Sequence, residues 1–411
     1  FHRKNYYYPD LPKNFQLTQY DAPICQQGSL EISVEGNRRE IGITRAHLEE
    51  DPGSLQHKGG SIDTAEATLI NYNRAGTPLV EIVTEPDFRS PAETRAFLAK
   101  LEGVLDYLGV FDSTRDGSLR VDANISLVDA DEVDEDGSIP DDALAEANRT
   151  EVKNISSHKG AEKALAYEVT RQKNAVRRGR AVETETRHWD ESRGITVSMR
   201  SKESEADYRY FREADLPPLE VAHWKEEIPI PELPDARRER FETEYGLDAE
   251  SASKLTSTKE VADFFESVAE SFDADLAATW VADNLLGELN YRDMEITDVD
   301  DRLDEFTRLV ELVDGDELTV KNAEEVVLRA MLDEGDEPET IIDREGLGKA
   351  DEGEIEGFVT EAIEENPEAV EDYHNGEAGA LNFLVGQVMQ KSQGSADPGS
   401  VNELLRAELA E

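Results

Sequence analysis

The sequence contains a single cysteine, Cys25, in 411 residues. One thiol excludes a disulfide framework and a CxxC zinc site, and it fits a reducing interior, so we expect a cytoplasmic protein. No apolar run approaches the ~18 residues of a membrane span, so we expect no membrane partner. The sequence also has no Walker-type glycine loop, no GxSxG turn and no Cys/His nucleophile arrangement. These absences argue against a P-loop nucleotide site, a serine nucleophile in a GxSxG turn and a cysteine nucleophile paired with histidine.

Acidic residues are abundant instead. The chain has 93 Asp and Glu against 43 Lys and Arg, which gives a formal net charge of -50, and Arg outnumbers Lys by 28 to 15. This balance is typical of a halophile, because at 1 M salt the Debye length falls to ~3 Å and self-repulsion is screened. The usual expectation that a nucleic-acid binder is basic therefore does not apply to this chain. The 38% of hydrophobic residues recur at structured periods, which predicts a folded protein.

The N-terminal part of the chain predicts mixed strands and helices. "SLEISVEG" alternates apolar and polar residues and runs into "NRREIGITRAHL", a predicted hairpin partner. "SPAETRAFLAKLEGVLDYLGV" begins with a capping box at Ser90 and Glu93 and predicts a long helix, and a second helix is predicted over 162–180. The acidic insert at 130–148 predicts a surface loop. The order of elements is α+β rather than a βαβ repeat.

Proline crowding in "ADLPPLEV" and "IPIPELPD" predicts a domain boundary, after which the pattern is almost entirely helical. One of these helices has a predicted capping box at Ser257 and Glu260. A second change of pattern follows "MLDEGDEPETIIDREGLG". We therefore predict three domains, over 1–219, 220–335 and 336–411.

Three carboxylates follow a histidine in "RAHLEEDPGS": Glu49, Glu50 and Asp51. Mg²⁺ prefers oxygen ligands, but adjacent residues of a strand face opposite ways, so at most two of the three can reach one ion. Two further carboxylates, Glu81 and Asp122, are flanked by apolar strand residues and are costly to bury unless they are paired or liganded. A metal site and structural ion pairs with Arg45, Arg74 or Arg120 both remain open on these residues alone.

Basic and amide side chains cluster in the same strands and suit phosphate or carboxylate recognition; they include Arg74, Arg120, Asn124 and Lys153. Ordinary pairing of arginine with the abundant acid is the alternative. His47, His158 and His188 have no metal-ligand spacing between them, so each is interpreted as a plain polar residue.

Several long motifs in order resemble the B-subunit family of the tRNA-dependent amidotransferase GatCAB. They include "RKNYYYPDLPKNFQLTQYDAPI", "IGITRAHLEEDPG", "NRAGTPLVEIVTEPDFRSP", "LGVFDSTRDGSLRVDANIS", "RTEVKNISS" and, near the end of the chain, "ALNFLVGQVMQ". The resemblance covers essentially the whole chain, and the composition indicates a haloarchaeal member.

The resemblance implies a mixed-sheet cradle domain, an all-α helical domain and a small helical YqeY-like tail. It implies ATP-dependent amidation of misacylated Glu-tRNA(Gln) or Asp-tRNA(Asn) in a heterotrimer with an amidase A subunit, which supplies ammonia from glutamine through a channel, and a C subunit. DNA is not expected as a partner. ATP and Mg²⁺ are the implied cofactors.

The resemblance also carries residue roles onto this sequence. It implies a Mg²⁺ site at Glu50, Glu81 and Asp122, with Glu50 and a channel-gating Lys4 as catalytic residues. The clustered side chains Arg74, Arg120, Asn124 and Lys153 are predicted from their residue types to contact ATP or the tRNA end. The family opens with a segment like "GLEVHVQL", whose Glu and His lie at the same metal site. This chain begins with Phe1, downstream of that segment, so we expect an N-terminal truncation.

Two alternatives are weighed against the GatCAB assignment. The E subunit of GatDE shares the cradle but carries a large inserted domain, and only about 35 residues separate Leu219 from Lys254, too few for such an insertion. A non-catalytic tRNA-binding scaffold is the second alternative, which applies if the metal site is incomplete.

Overall fold

The computed structural model of the chain describes residues 1–59, 65–112, 117–134, 138–199, 208–348, 352–375, 377–392, 395–396 and 398–409. The chain divides into two compact units, Phe1–Pro231 and Glu232–Glu411. The first unit contains the sheets and the second is helical, so the predicted α+β class is confirmed. None of the helices in the described ranges combines the length and apolarity that crossing a bilayer requires.

The strands of the first unit form two larger sheets and one hairpin. The strands are β1 (His2–Asn5), β2 (Phe15–Thr18), β3 (Cys25–Val34), β4 (Asn37–Glu50), β5 (Ser54–Lys58), β6 (Ala67–Asn71), β7 (Pro78–Thr84), β8 (Val121–Ile125), β9 (Thr150–Ile155), β10 (Glu185–Asp190), β11 (Ile195–Ser198) and β12 (Phe211–Arg212). The first sheet has the order β12-β1-β2-β4-β3, with β7 also paired to β4. The second has the order β11-β10-β9-β8, and β5 pairs with β6.

The long strand β4 organises the first sheet. As the alternating pattern predicts, β3 and β4 form an antiparallel hairpin, with Val34 opposite Asn37 across a turn that contains Gly36 at φ +80°. Strand β7 runs antiparallel to β4 as well, from Ile43 opposite Thr84 to Glu50 opposite Pro78. A β-bulge interrupts this pairing between Ile43 and Arg45, so one extra residue sets the phase of the second half of β4.

The helices of the first unit are α1 (Pro91–Tyr107), α2 (Asp141–Glu146), α3 (His158–Arg177) and α4 (Trp224–Glu227). One hydrophobic core joins both larger sheets to α1 and α3. It contains Ile41 from β4, Phe97 from α1, Val152 from β9 and Leu165 from α3. Burial of these side chains is what holds the two sheets of the first unit to each other.

The second unit is built from thirteen described helices: α5 (Pro234–Glu244), α6 (Ala249–Leu255), α7 (Lys259–Ala269), α8 (Ala274–Ala278), α9 (Leu286–Tyr291), α10 (Leu303–Asp314), α11 (Val320–Asn322), α12 (Arg329–Glu334), α13 (Pro338–Glu345), α14 (Glu352–Glu365), α15 (Pro367–His374), α16 (Ala378–Lys391) and α17 (Pro398–Glu408). Two π-helical segments, Thr279–Leu285 and Ala323–Leu328, join α8 to α9 and α11 to α12.

Two separate apolar cores lie in the second unit. The first extends from Phe241 to Leu347, and the second extends from Ile355 to Leu409. Ile341 of α13 is fully buried in the first core, so the change of core falls between Leu347 and Ile355. The division into domains at 219 and 335 remains a prediction.

Local details confirm some predicted helix signals and correct others. Ser90 and Glu93 form the predicted capping box of α1. Helix α3 starts four residues before the predicted position, because the Ser157 hydroxyl accepts a hydrogen bond from the Gly160 N–H and caps it. The cap of α7 is Thr258 rather than Ser257, since the Thr258 side chain accepts from Val261 N–H. In the insert predicted as a loop, residues 141–146 form α2.

A buried carboxylate attaches α3 to the second sheet. The Glu168 side chain is fully buried, accepts from Arg171 Nη2 at 2.8 Å and lies 3.1 Å from Nε of Arg187 on β10. It also accepts from the Thr196 hydroxyl on β11. Burial alone raises the pKa of Glu168, but the hydrogen bonds from Arg171, Thr196 and Gln172 outweigh it and hold the pKa below its ordinary value. Glu168 is therefore ionised when the unit is folded.

We predict that Glu168→Gln lowers the free energy of unfolding by about 3 kcal/mol, because it removes the buried one of the two carboxylates that pair with the partly buried guanidinium groups of Arg171 and Arg187 and leaves them only Glu185. Glu162→Gln, on the same helix but in a solvent-exposed pair with Arg95, should cost less than about 1 kcal/mol. Denaturant unfolding of both variants measures the difference. Because the folded pKa of Glu168 is depressed, its contribution is present above the unfolded pKa and is lost as the pH falls through the folded pKa. Equal losses in the two variants would contradict the anchoring role of Glu168.

Candidate metal centre

Three potential metal ligands meet where β4 and β7 pair. His47 lies directly opposite Glu81 in the register of the two strands, and Glu49 follows His47 at the next position on the same face of β4. His47 Nε2 is 3.5 Å from Glu49 Oε1 and 3.9 Å from Glu81 Oε2. One ligand atom from each residue lies within 4.8 Å of the other two. Within the described ranges, no other group of His, Cys, Asp and Glu meets this criterion.

The group is held in place from its buried side. His47 is fully buried, and neither of its ring nitrogens has a hydrogen-bond partner among the residues that the structure describes. Glu49 is also buried, and its carboxylate accepts from the Thr18 hydroxyl at 2.8 Å. Glu81 is half-exposed, with 43% of its side chain accessible. The group is therefore buried at His47 and Glu49 and accessible to solvent at Glu81.

The two carboxylates have opposite pKa shifts. Burial raises the pKa of Glu49, but its contact with His47, the charge of Lys4 and the hydrogen bond from Thr18 outweigh burial and lower the pKa overall. Burial and the negative charge of Glu49 raise the pKa of Glu81, against the opposing effects of His47, Lys4 and Arg45. Two carboxylates this close repel one another, and a cation between them would relieve that repulsion.

The chemistry of this group fits a divalent cation. Among the described residues, neither nitrogen of the buried His47 ring makes a hydrogen bond, and two carboxylates lie beside the ring. This arrangement is energetically costly unless a cation binds the three side chains. Carboxylate oxygens suit Mg²⁺ and Mn²⁺, and an imidazole nitrogen suits Mn²⁺ and later transition metals. Mg²⁺ keeps several waters when bound, so three protein ligands with one open side are sufficient for it.

The positive charge of Lys4 lowers the pKa of Glu49 and opposes the rise in the pKa of Glu81. Lys4 is on β1, and its Nζ is 5.2 Å from the centroid of the Tyr208 ring, a cation–π distance. The predicted catalytic lysine and the predicted ligand Glu81 are therefore brought together. Its predicted role at a channel mouth remains a prediction.

Glu50 faces a different set of partners from Glu49. Its two carboxylate oxygens accept from Lys13 Nζ at 2.7 and 2.6 Å, and one of them also accepts from the Leu17 N–H at 2.9 Å. Both oxygens are thus occupied by donors from β2 and from the turn that precedes it. The predicted assignment of Glu50 as a ligand and catalytic residue remains a prediction, but the geometry favours Glu49.

Asp51 pairs with two of the predicted phosphate-binding arginines. Its side chain is 1% exposed, and its oxygens accept from Arg74 Nε at 2.9 Å and from Arg120 Nη1 at 2.9 Å. The side chains of Arg74 and Arg120 remain 41% and 54% exposed, and Arg74 Nη2 also donates to the Gly117 carbonyl oxygen at 3.1 Å. One buried carboxylate therefore holds two arginines side by side.

The remaining predicted residues lie on the second sheet. Asp122 on β8 is exposed and accepts from Lys153 Nζ on β9 at 2.9 Å. Burial lowers the pKa of Lys153, but the charges of Asp122 and Glu151 outweigh burial and raise it. Asn124 is exposed on β8. Asp122 does not join the group formed by His47, Glu49 and Glu81, so the predicted set of Glu50, Glu81 and Asp122 is not brought together as one cluster.

Sequence reasoning misses His47 and leaves Glu49 undecided. No other histidine stands at a ligand spacing from His47, so histidine spacing alone indicates no ligand role for it. The usable signal is the spacing of His47 and Glu49, since residues two apart on a strand share a face. The third candidate ligand, Glu81, is brought to this place by the register between β4 and β7, and the local sequence does not determine that register.

Comparison with known proteins gives the family context of this geometry. The family model of the GatB/GatE catalytic domain matches residues 1–226, which include the whole candidate metal centre. A second family model, the GatB domain, matches residues 263–409 in the helical unit.

Curated relatives extend the similarity over the whole chain. The chain is 77% identical over 409 residues to a protein of Natronomonas pharaonis and 71% identical over 419 residues to one of Haloarcula marismortui, covering 100% of this chain and 82% and 83% of the relatives. It is 52% identical over 412 residues to a protein of Methanospirillum hungatei, covering 99% of this chain and 82% of the relative. All three are named as the B subunit of an aspartyl/glutamyl-tRNA(Asn/Gln) amidotransferase.

We predict that Glu49→Gln weakens Mn²⁺ and Mg²⁺ binding by at least the ~10- to 100-fold that even outer-shell changes cost at metal sites. Glu50→Gln is the matched control, one residue away with the same change of charge, and should leave the affinity within about threefold. Titration calorimetry with each ion measures both variants. Loss of binding in Glu50→Gln but not in Glu49→Gln would reject the ligand group of His47, Glu49 and Glu81 in favour of the set predicted from the sequence.

Proposed function

This chain belongs to the GatB family of amidotransferase subunits, and we therefore propose that His47, Glu49 and Glu81 form the metal site at which it amidates aminoacyl-tRNA. The observation that carries the proposal is the meeting of these three ligands inside the catalytic-domain match. The relatives' name, aspartyl/glutamyl-tRNA(Asn/Gln) amidotransferase, supports misacylated Glu-tRNA(Gln), Asp-tRNA(Asn) or both as substrates. The amidotransferase function follows from family membership.

The reaction converts a side-chain carboxylate of the tRNA-bound amino acid into an amide. A carboxylate is a poor acyl donor, so we propose that one of its oxygens first attacks the γ-phosphorus of ATP and that ADP leaves. Ammonia then attacks the carbonyl carbon of the acyl phosphate, phosphate leaves, and a proton passes from nitrogen to the released phosphate. Each step breaks one bond for each bond formed, and exclusion of water protects the acyl phosphate from hydrolysis.

We assign one group of residues in this chain to binding a metal ion and another group to binding the phosphates of ATP. His47, Glu49 and Glu81 would hold a divalent cation, with Mg²⁺ as the family-implied ion. The cation would neutralise charge between nucleotide and substrate carboxylate. Lys4, beside the two carboxylates, adds a positive charge at the same place. This charge favours a substrate that is itself anionic.

Arg74 and Arg120 are the residues that we assign to the phosphates of ATP. Asp51 fixes both guanidinium groups through bonds of 2.9 Å, while 41% of the Arg74 side chain and 54% of the Arg120 side chain stay exposed. A guanidinium presents donors in a planar fork that matches phosphate oxygens. Since Asp51 follows β4 by one residue, this pair belongs to the same strand end as Glu49. Asn124 and Lys153 of the second sheet remain proposed nucleotide or tRNA contacts.

The proposed partners follow from the relatives' name, because a protein named as one lettered subunit implies a complex with others. We propose an amidase A subunit that releases ammonia from glutamine and a C subunit, working in the cytoplasm, where translation consumes aminoacyl-tRNA. Two observations favour GatCAB over the E subunit of GatDE: the GatB domain match at 263–409 and the relatives' name. The same observations disfavour a non-catalytic scaffold.

The function is tested with the complex reconstituted from its three proteins, misacylated tRNA, glutamine and ATP. Glu81→Gln should lower the rate of amide formation by about 100-fold or more, because it removes a charged ligand where charge develops, and leave tRNA affinity unchanged. Glu31→Gln, an exposed carboxylate on β3, is the control and should keep full activity. Full activity of Glu81→Gln would reject the metal assignment, whereas an inactive wild-type complex would reject the function itself.

Arg120→Gln tests the phosphate assignment. We expect the KM for ATP to rise by about 10- to 100-fold, the equivalent of one charged hydrogen bond, with a smaller change in kcat. Arg74 still pairs with Asp51 in this variant, so the buried carboxylate keeps a partner. Arg38→Gln, which removes an exposed guanidinium from the same sheet, should leave the KM unchanged. Equal KM values for the two variants would exclude Arg120 from nucleotide binding.

A further inference from the structure

One face of α3 carries positive charge along its length, although the chain as a whole carries a net charge of -50. Lys159, Lys163, Lys173 and Arg177 are all exposed and fall on one line of the helix at intervals of 4, 10 and 4 residues. We call these four residues the basic ridge. From first to last it spans 18 residues, which is about 27 Å at 1.5 Å per residue.

The acidic residues of α3 are used elsewhere. Glu168 is buried on the opposite side of the helix and anchors it to the second sheet. Glu162 lies at the edge of the ridge and pairs with Arg95 at 3.2 Å. Ala166 and Thr170, the two residues that continue the line between Lys163 and Lys173, carry no charge. The ridge is therefore uninterrupted by negative charge along the helix.

Ion pairing does not account for the ridge. Arginines elsewhere in the protein commonly pair with carboxylates, as Arg237, Arg292 and Arg308 do. Within the residues whose structure is described, no carboxylate lies within 4.0 Å of a ridge nitrogen. In a chain with 93 acidic residues, four exposed cations in one line without a counter-charge point to a ligand outside the chain.

Helix electrostatics do not account for it either. Basic residues stabilise the C-terminal end of a helix dipole and destabilise the N-terminal end. Arg177 is in the last turn of α3 and fits that rule, but Lys159 is in the first turn, which contains no acidic residue. The dipole therefore explains at most one end of the ridge.

The chain that follows α3 adds two more exposed cations in a fixed geometry. Gly179, at φ +70°, ends the helix, and its N–H bonds to the Val176 carbonyl oxygen at 2.8 Å. The Arg180 N–H bonds to the Ala175 carbonyl oxygen at 2.9 Å, which completes a Schellman motif. Arg178 and Arg180 are therefore held next to the end of the ridge rather than on a free loop.

We propose that the basic ridge, with Arg178 and Arg180, binds the phosphate backbone of the tRNA substrate. A line of lysine and arginine on a rigid helix matches a polyanion that carries phosphates at regular intervals, and it reads charge and shape rather than sequence. This inference rests on the proposed function, which supplies the tRNA. An acidic protein surface is the competing occupant, and the test separates the two.

The experiment compares Lys173→Gln/Arg177→Gln with Arg38→Gln/Arg193→Gln in the reconstituted complex. Both double variants remove two exposed cations from the first unit, and glutamine keeps the helix propensity of lysine and arginine. The affinity for tRNA is measured over a series of KCl concentrations at which the complex stays assembled. For the ridge variant, the plot of log K against log salt should become shallower by about 1.4 to 1.8, at ~0.7 to 0.9 per lost phosphate contact.

The kinetics of amide formation give a second readout. The ridge variant should raise the KM for tRNA and leave kcat unchanged, whereas the control variant should change neither value. An unchanged salt slope in the ridge variant would overturn the proposal. Failure of the ridge variant to assemble into the complex, seen by gel filtration, would also overturn it and identify the ridge as a protein interface. A wild-type complex that binds and amidates tRNA, combined with a negative ridge result, leaves the proposed function intact.

Discussion

Alternation of side chains along β4 decides which charges of the first unit can meet. His47 and Glu49 lie on one face of the strand and meet Glu81 from β7, while Glu50, on the other face, accepts from Lys13 and Leu17. Neighbouring carboxylates of identical chemistry are thereby assigned to different environments. The candidate metal centre and the ion pair between Glu50 and Lys13 depend on the same strand geometry.

Asp51, the residue directly after β4, links the first sheet to the second through ion pairs. Asp51 is buried and holds Arg74, which precedes β7, together with Arg120, which precedes β8. The apolar core that α1, α3 and both larger sheets share holds the two sheets together and so keeps Arg120 within hydrogen-bond distance of Asp51. Apolar burial thus holds the two larger sheets together, and the buried carboxylates Asp51 and Glu168 fix the positions of the arginine side chains that pair with them.

Features of short range could be predicted from the sequence, and features of long range could not. The capping box at Ser90 and the β3–β4 hairpin depend on residues a few positions apart, so local patterns were sufficient. The cap of α7 is Thr258 rather than the predicted Ser257, so this local signal located the start of the helix with an error of one residue. Two long-range features decide which residues form the candidate ligand group. One is the register of β4 against β7, and the other is the pairing of Glu50 with Lys13, 37 residues away; no local sequence pattern encodes either. The family resemblance supplied the function but left the residues of the site open.

The β-bulge between Ile43 and Arg45 has an evolutionary consequence. It adds one residue to β4 upstream of the metal centre and so sets the phase of everything that follows. Downstream of the bulge, a deletion of one residue between His47 and Glu49 would place Glu49 on the opposite face from His47 and exchange the sides of Glu49 and Glu50. Substitutions in this segment can be accepted one at a time, but insertions and deletions cannot, so its length should change far more slowly across descendants than its sequence.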